Sequence, residues 1–244
     1  MGVCAALQPQ DLVLCHHRMI GWALCKGVPL EALVGELLGK EAGLAQGRCG
    51  EMHLRAPEYG LMHTFQLVGT VVPVAAGVAW AVKHVKKTGG IVVAVHGDAA
   101  TANGQWHEGL NIAAVNRLPL LLVCENNGLA GNVTMEHYSP ATPSVISRAT
   151  GYATMSDWPD GNDVEAVRTR TVRARERILY SERPLLLDCL TNRMGKHKQG
   201  MGDLRGPEEM ARLQAQDPLR DVTPLERAEA EAVVHDVLER ARML

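Results

Sequence analysis

Short apolar runs alternate with helix-like patterns through the middle of the chain. Runs with the length of buried strands occur at residues 91–95, 120–124 and 185–190. A segment with apolar residues at helical spacing precedes each run, at 73–87, 103–116 and 163–181. Because helices and strands alternate in this order, the pattern predicts an α/β fold with a mainly parallel sheet and helices on both faces.

The last part of the chain has a different pattern. Residues 192–206 are rich in Gly, Lys and Arg, which is typical of a loop. Segments 208–216 and 224–244 are rich in Glu, Arg and Ala, and they are predicted to be exposed amphipathic helices. We therefore predict one domain over residues 1–207 and a C-terminal helical tail over residues 208–244.

Composition narrows the classes of function. Hydrophobic residues make up 46% of the 244 residues, but the chain has one Phe, so its core must be built from Ala, Val and Leu. The 25 basic and 27 acidic residues give a formal charge of −2, which provides no electrostatic footprint for nucleic acid or an anionic membrane. The long uncharged stretch that ends before Lys83 is interrupted by Gly and Pro, so we predict a buried helix rather than a membrane span.

The six cysteines form no CxxC pair and have no metal-ligand spacing. Cys124 and Cys189 lie within apolar runs, where buried reduced thiols are expected. The amino-terminus does not have a basic region followed by an apolar stretch, so no signal peptide is indicated. We therefore expect a reducing, cytoplasmic location.

Two polar residues follow two neighbouring apolar runs. Asp98 comes after the run at 91–96, and Asn127 comes after the run at 118–123. Their oxygens are hard ligands of the kind that Mg²⁺ prefers, and the backbone carbonyl of Leu129 could add a third. A diphosphate and water would complete such a coordination shell. The segment therefore predicts a magnesium–diphosphate site at the carboxyl ends of two strands.

The residues after Asp98 suit an approaching phosphate. Ala99 and Ala100 are small enough to let backbone N–H groups reach it, and the following helix directs its positive end there. A purely structural explanation stays open at this point. Asp98 could cap the helix, and Asn126-Asn127-Gly128 could form an ordinary turn.

A longer set of motifs surrounds these residues. Its central part is Gly97-Asp98-Ala99-Ala100-Thr101, Gly104-Gln105-Trp106-His107-Glu108-Gly109-Leu110-Asn111, Leu118-Pro119 and Cys124-Glu125-Asn126-Asn127, and its outer part includes His17-Arg18, Gly50-Glu51-Met52-His53 and Asn192-Arg193-Met194-Gly195-Lys196-His197. The set resembles the alpha subunits of thiamine-diphosphate-dependent 2-oxoacid dehydrogenases, the family of the pyruvate, branched-chain and acetoin enzymes. The resemblance extends over residues 5–220.

The resemblance implies a diphosphate-type fold, thiamine diphosphate and Mg²⁺ as cofactors, and a role for individual residues. Asp98, Asn127 and the Leu129 carbonyl would hold Mg²⁺. Contacts to thiamine diphosphate would come from Arg18, Gln66, Val68, Gly97, Ala99 and Ala100. His197 would assist proton transfer and orient the reacting adduct, and Arg193 would organise the loop around it.

The resemblance also implies a reaction and partners. The chain would be an alpha-type subunit that cleaves a C–C bond next to a carbonyl, by decarboxylating a small 2-oxo acid and passing the acyl group to a thiol of a lipoyl or acyl carrier protein. It would be active only with a beta-type subunit that carries the pyrimidine-binding domain, in an α₂β₂ assembly.

Several residues depart from the family pattern. Ala99 stands where Gly is usual, Gln66 and Ile20 stand where Gly and His are frequent, and Lys196 and Lys198 make the late loop unusually basic. These departures keep two alternatives open: a transketolase-like transfer of a two-carbon unit from a sugar phosphate to a carrier protein, and a noncatalytic scaffold subunit. The short amino-terminal part fits either an internal methionine taken as the start or a truncated family member.

Overall fold

The structure, a computed structural model, describes residues 1–139 and 144–243. Its strands are β1 (Leu12–His16), β2 (Leu61–Phe65), β3 (Val92–Gly97), β4 (Leu120–Asn126), β5 (Leu129–Ala130), β6 (Val133–Thr134), β7 (Met155–Asp157) and β8 (Leu185–Leu190). Six of them form a parallel sheet in the order β2-β1-β3-β4-β8-β7, and β5 and β6 form a separate antiparallel pair. The predicted α/β class is therefore confirmed.

Helices cover both faces of the sheet. They are α1 (Gly2–Ala6), α2 (Ile20–Cys25), α3 (Leu30–Leu37), α4 (Val71–Ala81), α5 (Gly104–Val115), α6 (Met135–Tyr138), α7 (Val145–Thr150), α8 (Val164–Ser181), α9 (Pro207–Gln214) and α10 (Pro224–Met243). A π-helical segment, Val82–Lys86, continues α4, and 3₁₀ turns occupy Glu51–His53, Pro57–Tyr59 and Asp98–Ala102.

The core has two layers because successive strand residues point to opposite faces of the sheet. One layer packs β1, β3, β4 and β8 against α2, α3 and α8, through residues such as Val13, Val93, Leu121 and Leu187. The other layer packs the alternate strand residues against α4, α5 and α7. Gly109 allows α5 to approach α4 closely, since a Cβ there would lie 2.5 Å from the backbone nitrogen of Pro73.

The predicted helices and long strands lie close to the observed ones. Side-chain caps explain two of the helix starts: Asn103 accepts the Gln105 N–H before α5, and Asp163 accepts two N–H groups before α8. The sequence pattern does not predict β1, β2 or β7. These strands are short. They have no long apolar run of their own, and neighbouring elements bury them.

The order of the strands creates a crevice at the carboxyl ends of β1 and β3. The chain leaves β1 towards β2 on one side, whereas it leaves β3 towards β4 on the other side. Adjacent strands whose connections run in opposite directions form the topological switch point at which α/β proteins usually bind ligands. Arg18 lies two residues after the end of β1, and Asp98 directly follows β3.

The predicted tail helices are present as α9 and α10. One face of α10 packs on α3, where Val34, Val237 and Ala241 form a small buried cluster. Leu244 lies outside the described residues, and the division into a domain and a tail stays a prediction. All six cysteines are free, and Cys124 and Cys189 are buried as expected. Of the helices in residues 1–139 and 144–243, none has the length and apolar character that a membrane crossing needs.

Candidate functional site

A cavity of about 790 Å³ opens at the switch point. This volume is in the range of small-molecule and cofactor sites. The cavity brings together most of the site residues predicted from sequence: Arg18, Val68, Gly97, Asp98, Ala99, Ala100, Asn127, Leu129, Arg193 and His197. Gln66 is exposed and is not among the described residues that line the cavity.

Asp98 is a buried carboxylate with few hydrogen-bond donors. The residue is only 2% exposed. Oδ1 accepts a long hydrogen bond of 3.4 Å from the Asn127 N–H, and Oδ2 accepts one from the Tyr138 hydroxyl. Within residues 1–139 and 144–243, no lysine or arginine forms an ion pair with Asp98. Because an unpaired buried charge is unfavourable, this carboxylate is suited to a bound cation.

The structure decides against Asp98 as the helix cap. Asn103, not Asp98, accepts the first free N–H of α5, at 2.9 Å. Asp98 instead begins the 3₁₀ turn before that helix, where its backbone carbonyl accepts the Thr101 hydroxyl at 2.7 Å. Its carboxylate therefore remains directed to the edge of the cavity.

The two asparagines after β4 have different roles. Asn126 is structural: its Nδ2 donates to Asp188 at 2.9 Å, and its Oδ1 accepts the Gly128 N–H at 3.1 Å. Gly128 adopts the left-handed conformation, with φ of 72°, that this turn requires. Asn127 lines the cavity, and its Oδ1 accepts, from the described residues, the Leu129 N–H at 3.0 Å. Both asparagines thus form turn contacts, but Asn127 is the one at the cavity, and its Oδ1 has a second lone pair for a ligand.

The donor set fits Mg²⁺ better than a transition metal. In the part of the chain that the structure describes, no group of three or more His, Cys, Asp or Glu residues could hold a metal. A cation at Asp98 would therefore meet one carboxylate together with neutral amide and carbonyl oxygens. Such an all-oxygen set, completed by phosphate oxygens, is typical of Mg²⁺.

Cationic side chains form the opposite wall. The Arg18 Nη2 donates to the carbonyl of His197 at 2.5 Å, and the Arg193 Nη1 donates to the carbonyl of Gly131 at 2.5 Å. The buried Nε of Arg193 has no hydrogen-bond partner among the described residues. Burial, together with Arg18 and Arg193, lowers the pKa of His197. The imidazole is therefore neutral near pH 7 and can accept a proton.

The loop that carries Arg193 and His197 is fixed by Arg205. The guanidinium of Arg205 pairs with Asp203 at 2.6 Å and donates to the carbonyls of Arg193 and Gly195. Hydrogen bonds from Arg205 hold the pKa of Asp203 well below its usual value. This clamp uses local sequence neighbours, and it fixes the loop at Arg193 and Gly195, just before His197.

Three further residues in the cavity have no role in the sequence prediction. Glu125, next to the asparagine pair, accepts hydrogen bonds from His16 Nε2 at 2.9 Å and from Trp22 Nε1 at 2.8 Å. Desolvation raises the pKa of Glu125, but these hydrogen bonds hold it below the usual value, so the group is ionised. Only its position near the end of β4, two residues before Asn127, could have drawn attention to it in the sequence.

His96 has a structural role. Its Nε2 accepts the Trp106 indole N–H at 3.2 Å, and its Nδ1 lies 3.0 Å from the Gly97 carbonyl, so Nδ1 carries the proton of the neutral ring. Burial lowers the pKa of His96 to about 4, which keeps the ring neutral. His96 thereby supports the strand end that leads into Asp98.

Comparison with known proteins gives a consistent family. The family described as "Dehydrogenase E1 component" matches residues 1–225. The alpha subunit of acetoin:2,6-dichlorophenolindophenol oxidoreductase from Bacillus subtilis is 36% identical over 200 residues, covering 82% of this chain and 60% of the relative. The pyruvate dehydrogenase E1 component subunit alpha of Porphyra purpurea is 34% identical, covering 90% and 65%. The mitochondrial 2-oxoisovalerate dehydrogenase subunit alpha of Homo sapiens is 33% identical, covering 81% and 44%.

The chain thus spans less than two thirds of the length of these relatives. Among solved structures, it is similar to an X-ray structure from Mycobacterium smegmatis assigned to the thiamin diphosphate-dependent enzymes. The TM-score is 0.51 at 15% identity, and the match covers 79% of this chain and 30% of the other. At this identity the likeness supports the fold alone.

Proposed function

The chain belongs to the family of dehydrogenase E1 components, and on this premise we propose that it is the alpha-type component of an enzyme that decarboxylates a 2-oxo acid with thiamine diphosphate and Mg²⁺. The observation that carries the proposal is the buried Asp98 carboxylate, which has no cationic partner among the described residues and borders a cofactor-sized cavity. A cation brought by a diphosphate would neutralise it.

Each wall of the cavity has a separate task in this proposal. Asp98, the Asn127 amide oxygen and the Leu129 carbonyl would hold Mg²⁺ on one side. Arg18 would contact the diphosphate on the other, and the backbone at Gly97, Ala99 and Ala100 would lie close to it. Val68 at the rim would contact the aminopyrimidine. Thiamine diphosphate supplies the carbanion stabilisation that such decarboxylations need.

His197 would move the proton in this site. Its pKa is lowered by burial and by two neighbouring guanidinium groups, so a ring nitrogen is free to accept a proton and to return it near pH 7. Arg193 would hold the substrate-facing part of the loop, since it is tied to the carbonyl of Gly131. The Arg205 clamp would hold the loop that carries both residues in place at the cavity.

A second polypeptide would complete the cavity. Leu67 and Val68 at its rim are 73% and 52% exposed, and adjacent exposed apolar side chains are suited to a covering protein surface. We infer a beta-type subunit with a pyrimidine-binding domain and an α₂β₂ assembly. The acyl group would then pass to a lipoyl or other acyl carrier protein, and a cytoplasmic location follows from the free cysteines only as an expectation.

The two alternatives have less support. Lys196 lines the cavity, which suits the phosphate of a transketolase-type substrate, but the relatives named above are 2-oxo acid and acetoin enzymes. A noncatalytic scaffold has no physical need for an unpaired buried carboxylate beside a neutral histidine.

The test is turnover by the chain assembled with its beta-type partner. Pyruvate, a branched 2-oxo acid and a ketose phosphate are supplied in turn with thiamine diphosphate, Mg²⁺ and an artificial electron acceptor. The proposal expects turnover of a 2-oxo acid and a loss of at least about a hundredfold in His197→Gln, because its proton acceptor is removed. Turnover of the ketose phosphate alone would contradict the reaction type, and no turnover of any substrate would support the scaffold.

A further inference from the structure

A chain of hydrogen bonds connects the carboxyl end of β4 to that of β1 along the cavity. It begins at Glu125, which lies two residues before Asn127 and lines the cavity. One carboxylate oxygen accepts the Trp22 indole N–H, and the other accepts from His16. The Glu125 side chain keeps 38% of its surface accessible and that of His16 keeps 19%, so this pair faces the cavity rather than the hydrophobic core.

The backbone fixes which His16 nitrogen carries the proton. The Arg18 N–H donates to His16 Nδ1 at 3.0 Å, so Nδ1 must hold a lone pair. The proton of the neutral ring is therefore on Nε2, which donates it to Glu125 at 2.9 Å. A contact from a side chain to the N–H two residues later closes a tight turn, as Asx side chains do. Glu125 thus fixes the ring that fixes the turn at Arg18.

The turn controls an exposed and flexible side chain. Arg18 is exposed, and long charged side chains lose rotamer entropy when they are ordered. Its guanidinium nevertheless reaches the carbonyl of His197 at 2.5 Å. The path therefore runs from Glu125 through His16 to Arg18, and it ends at the loop that carries the proposed proton acceptor.

We propose that Glu125 and His16 are positioning residues that hold Arg18 ready for the diphosphate and align it with the His197 loop. The inference rests on the proposed function, because that function puts a diphosphate against Arg18. The competing explanation is a structural contact that only joins β1 to β4. The contact is a hydrogen bond between partly exposed groups, and water can replace such a bond when one partner is lost. The two explanations therefore differ in what the loss of the pair should change.

The experiment is a double-mutant cycle in the assembled complex. Wild type, Glu125→Gln, His16→Ala and the double variant are titrated with thiamine diphosphate at saturating Mg²⁺, and their melting temperatures are measured without cofactor. Asp157→Asn is the control, since Asp157 is also a partly buried carboxylate with a side-chain donor, Arg170 at 3.1 Å, but it does not line the cavity.

We expect about tenfold weaker cofactor binding in each single variant and no further loss in the double variant, because both act through Arg18. The value of kcat at saturating cofactor should change less than the affinity. His16→Asn should restore part of the affinity, since its amide oxygen can again accept the Arg18 N–H. Asp157→Asn should bind like wild type, and melting temperatures should stay close together.

Three outcomes would overturn the inference. Wild-type affinity in both single variants, or losses that add in the double variant, would mean that Glu125 and His16 do not act through Arg18. Lower melting temperatures with unchanged affinity would show a structural contact only. A wild-type complex that binds no thiamine diphosphate would instead overturn the proposed function, and this inference with it.

Discussion

Two buried aspartates at opposite edges of the same sheet have different surroundings. Asp11 lies just before β1 at the amino edge and is fully buried. Arg175 contacts it with Nε at 2.8 Å and Nη2 at 3.3 Å, and the N–H groups of Gln8 and Ile91 donate to it at 2.7 and 2.9 Å. Asp98 lies just after β3 at the carboxyl edge and is nearly as buried, but the described residues give it one long N–H contact and one hydroxyl.

The difference separates a structural carboxylate from one suited to a ligand. At Asp11 the protein itself provides a cation and four donor contacts, so nothing remains for a ligand. Glu36 follows the same rule without a cation, since it accepts the N–H groups of residues 45, 47, 49 and 50. At Asp98 the donors are too few for a buried charge, and the deficit coincides with the cavity.

The largest expected effect is on stability at the amino edge. Asp11→Ala leaves Arg175 half-buried without its partner and two N–H groups unsatisfied, so we expect a loss of about 3–5 kcal/mol in the free energy of unfolding. Urea unfolding of the full chain measures this. The folded variant should keep wild-type affinity for thiamine diphosphate in the assembled complex. If Asp11→Ala instead lost affinity for thiamine diphosphate at unchanged stability, the amino and carboxyl edges of the sheet would not differ in role.

The second effect is the acid dependence of stability at Glu36. Burial raises the pKa of this carboxyl, but four backbone N–H donors lower it more, so the pKa is lower in the folded than in the unfolded chain. Its stabilisation is complete above the unfolded pKa of about 4.3 and is lost as the pH falls through the lower folded pKa. Glu36→Gln should cost about 2–3 kcal/mol at pH 7, because two or more N–H groups lose their acceptor.

Unfolding free energies between pH 7 and pH 3 provide the check. The difference between wild type and Glu36→Gln should shrink as the pH falls below about 4.3, since the protonated wild-type carboxyl no longer has its advantage. A difference that stays constant over the whole range would show that the charge of Glu36 does not hold the loop.

A smaller contrast between a structural and a ligand-binding side chain is expected at the two adjacent asparagines. Asn126→Ala leaves the buried Asp188 without its amide donor, so we expect a loss of about 1–2 kcal/mol in stability. Asn127→Ala should change stability by less than about 0.5 kcal/mol, as substitutions away from buried networks do, and should weaken Mg²⁺-dependent cofactor binding about tenfold. Unfolding and titration of both variants test this. Exchanged phenotypes would reverse the roles assigned here.

The smallest effect is expected at Tyr138. Burial and the hydrogen bond to Asp98 raise the pKa of Tyr138, so the hydroxyl stays protonated and acts as a donor. Tyr138→Phe removes that donor but leaves the Asp98 oxygens available to a cation, and the cofactor affinity should change by less than about threefold. A hundredfold loss of affinity in the same titration would make Tyr138 part of the binding site. It would also weaken the argument that the Asp98 carboxylate has too few hydrogen-bond donors.

The sequence predicts what depends on local pattern. The helices at 73–87, 103–116 and 163–181 and their following strands have clear periodicity, and Asp98 and Asn127 stand out because each follows such a strand. Short strands such as β7 have no pattern of their own. Most cavity residues came from the family resemblance rather than from spacing, and Gln66 shows that such a transfer can miss the cavity wall.

The partners of the polar groups lie beyond local pattern. Arg175 follows Asp11 by 164 positions, and Glu125 follows His16 by 109. No periodicity connects residues so far apart. The strand order β1-β3-β4 brings His16 near Glu125, and the packing of α8 on the sheet brings Arg175 to Asp11. The supply of donors to each carboxylate, which distinguishes the two edges of the sheet, therefore became visible only in the folded structure.

The most direct measurement is a calorimetric titration of thiamine diphosphate with Mg²⁺ into the assembled complex, for wild type and for Asp98→Asn. The free energies of unfolding of the wild-type chain and of the Asp98→Asn chain are measured alongside. We predict Mg²⁺-dependent binding in wild type, a loss of at least about a hundredfold in Asp98→Asn, and an equal or higher stability of the variant, because a buried charge without a cation is removed. Unchanged binding together with a loss of several kcal/mol in stability would contradict the account, since Asp98 would then be structural like Asp11.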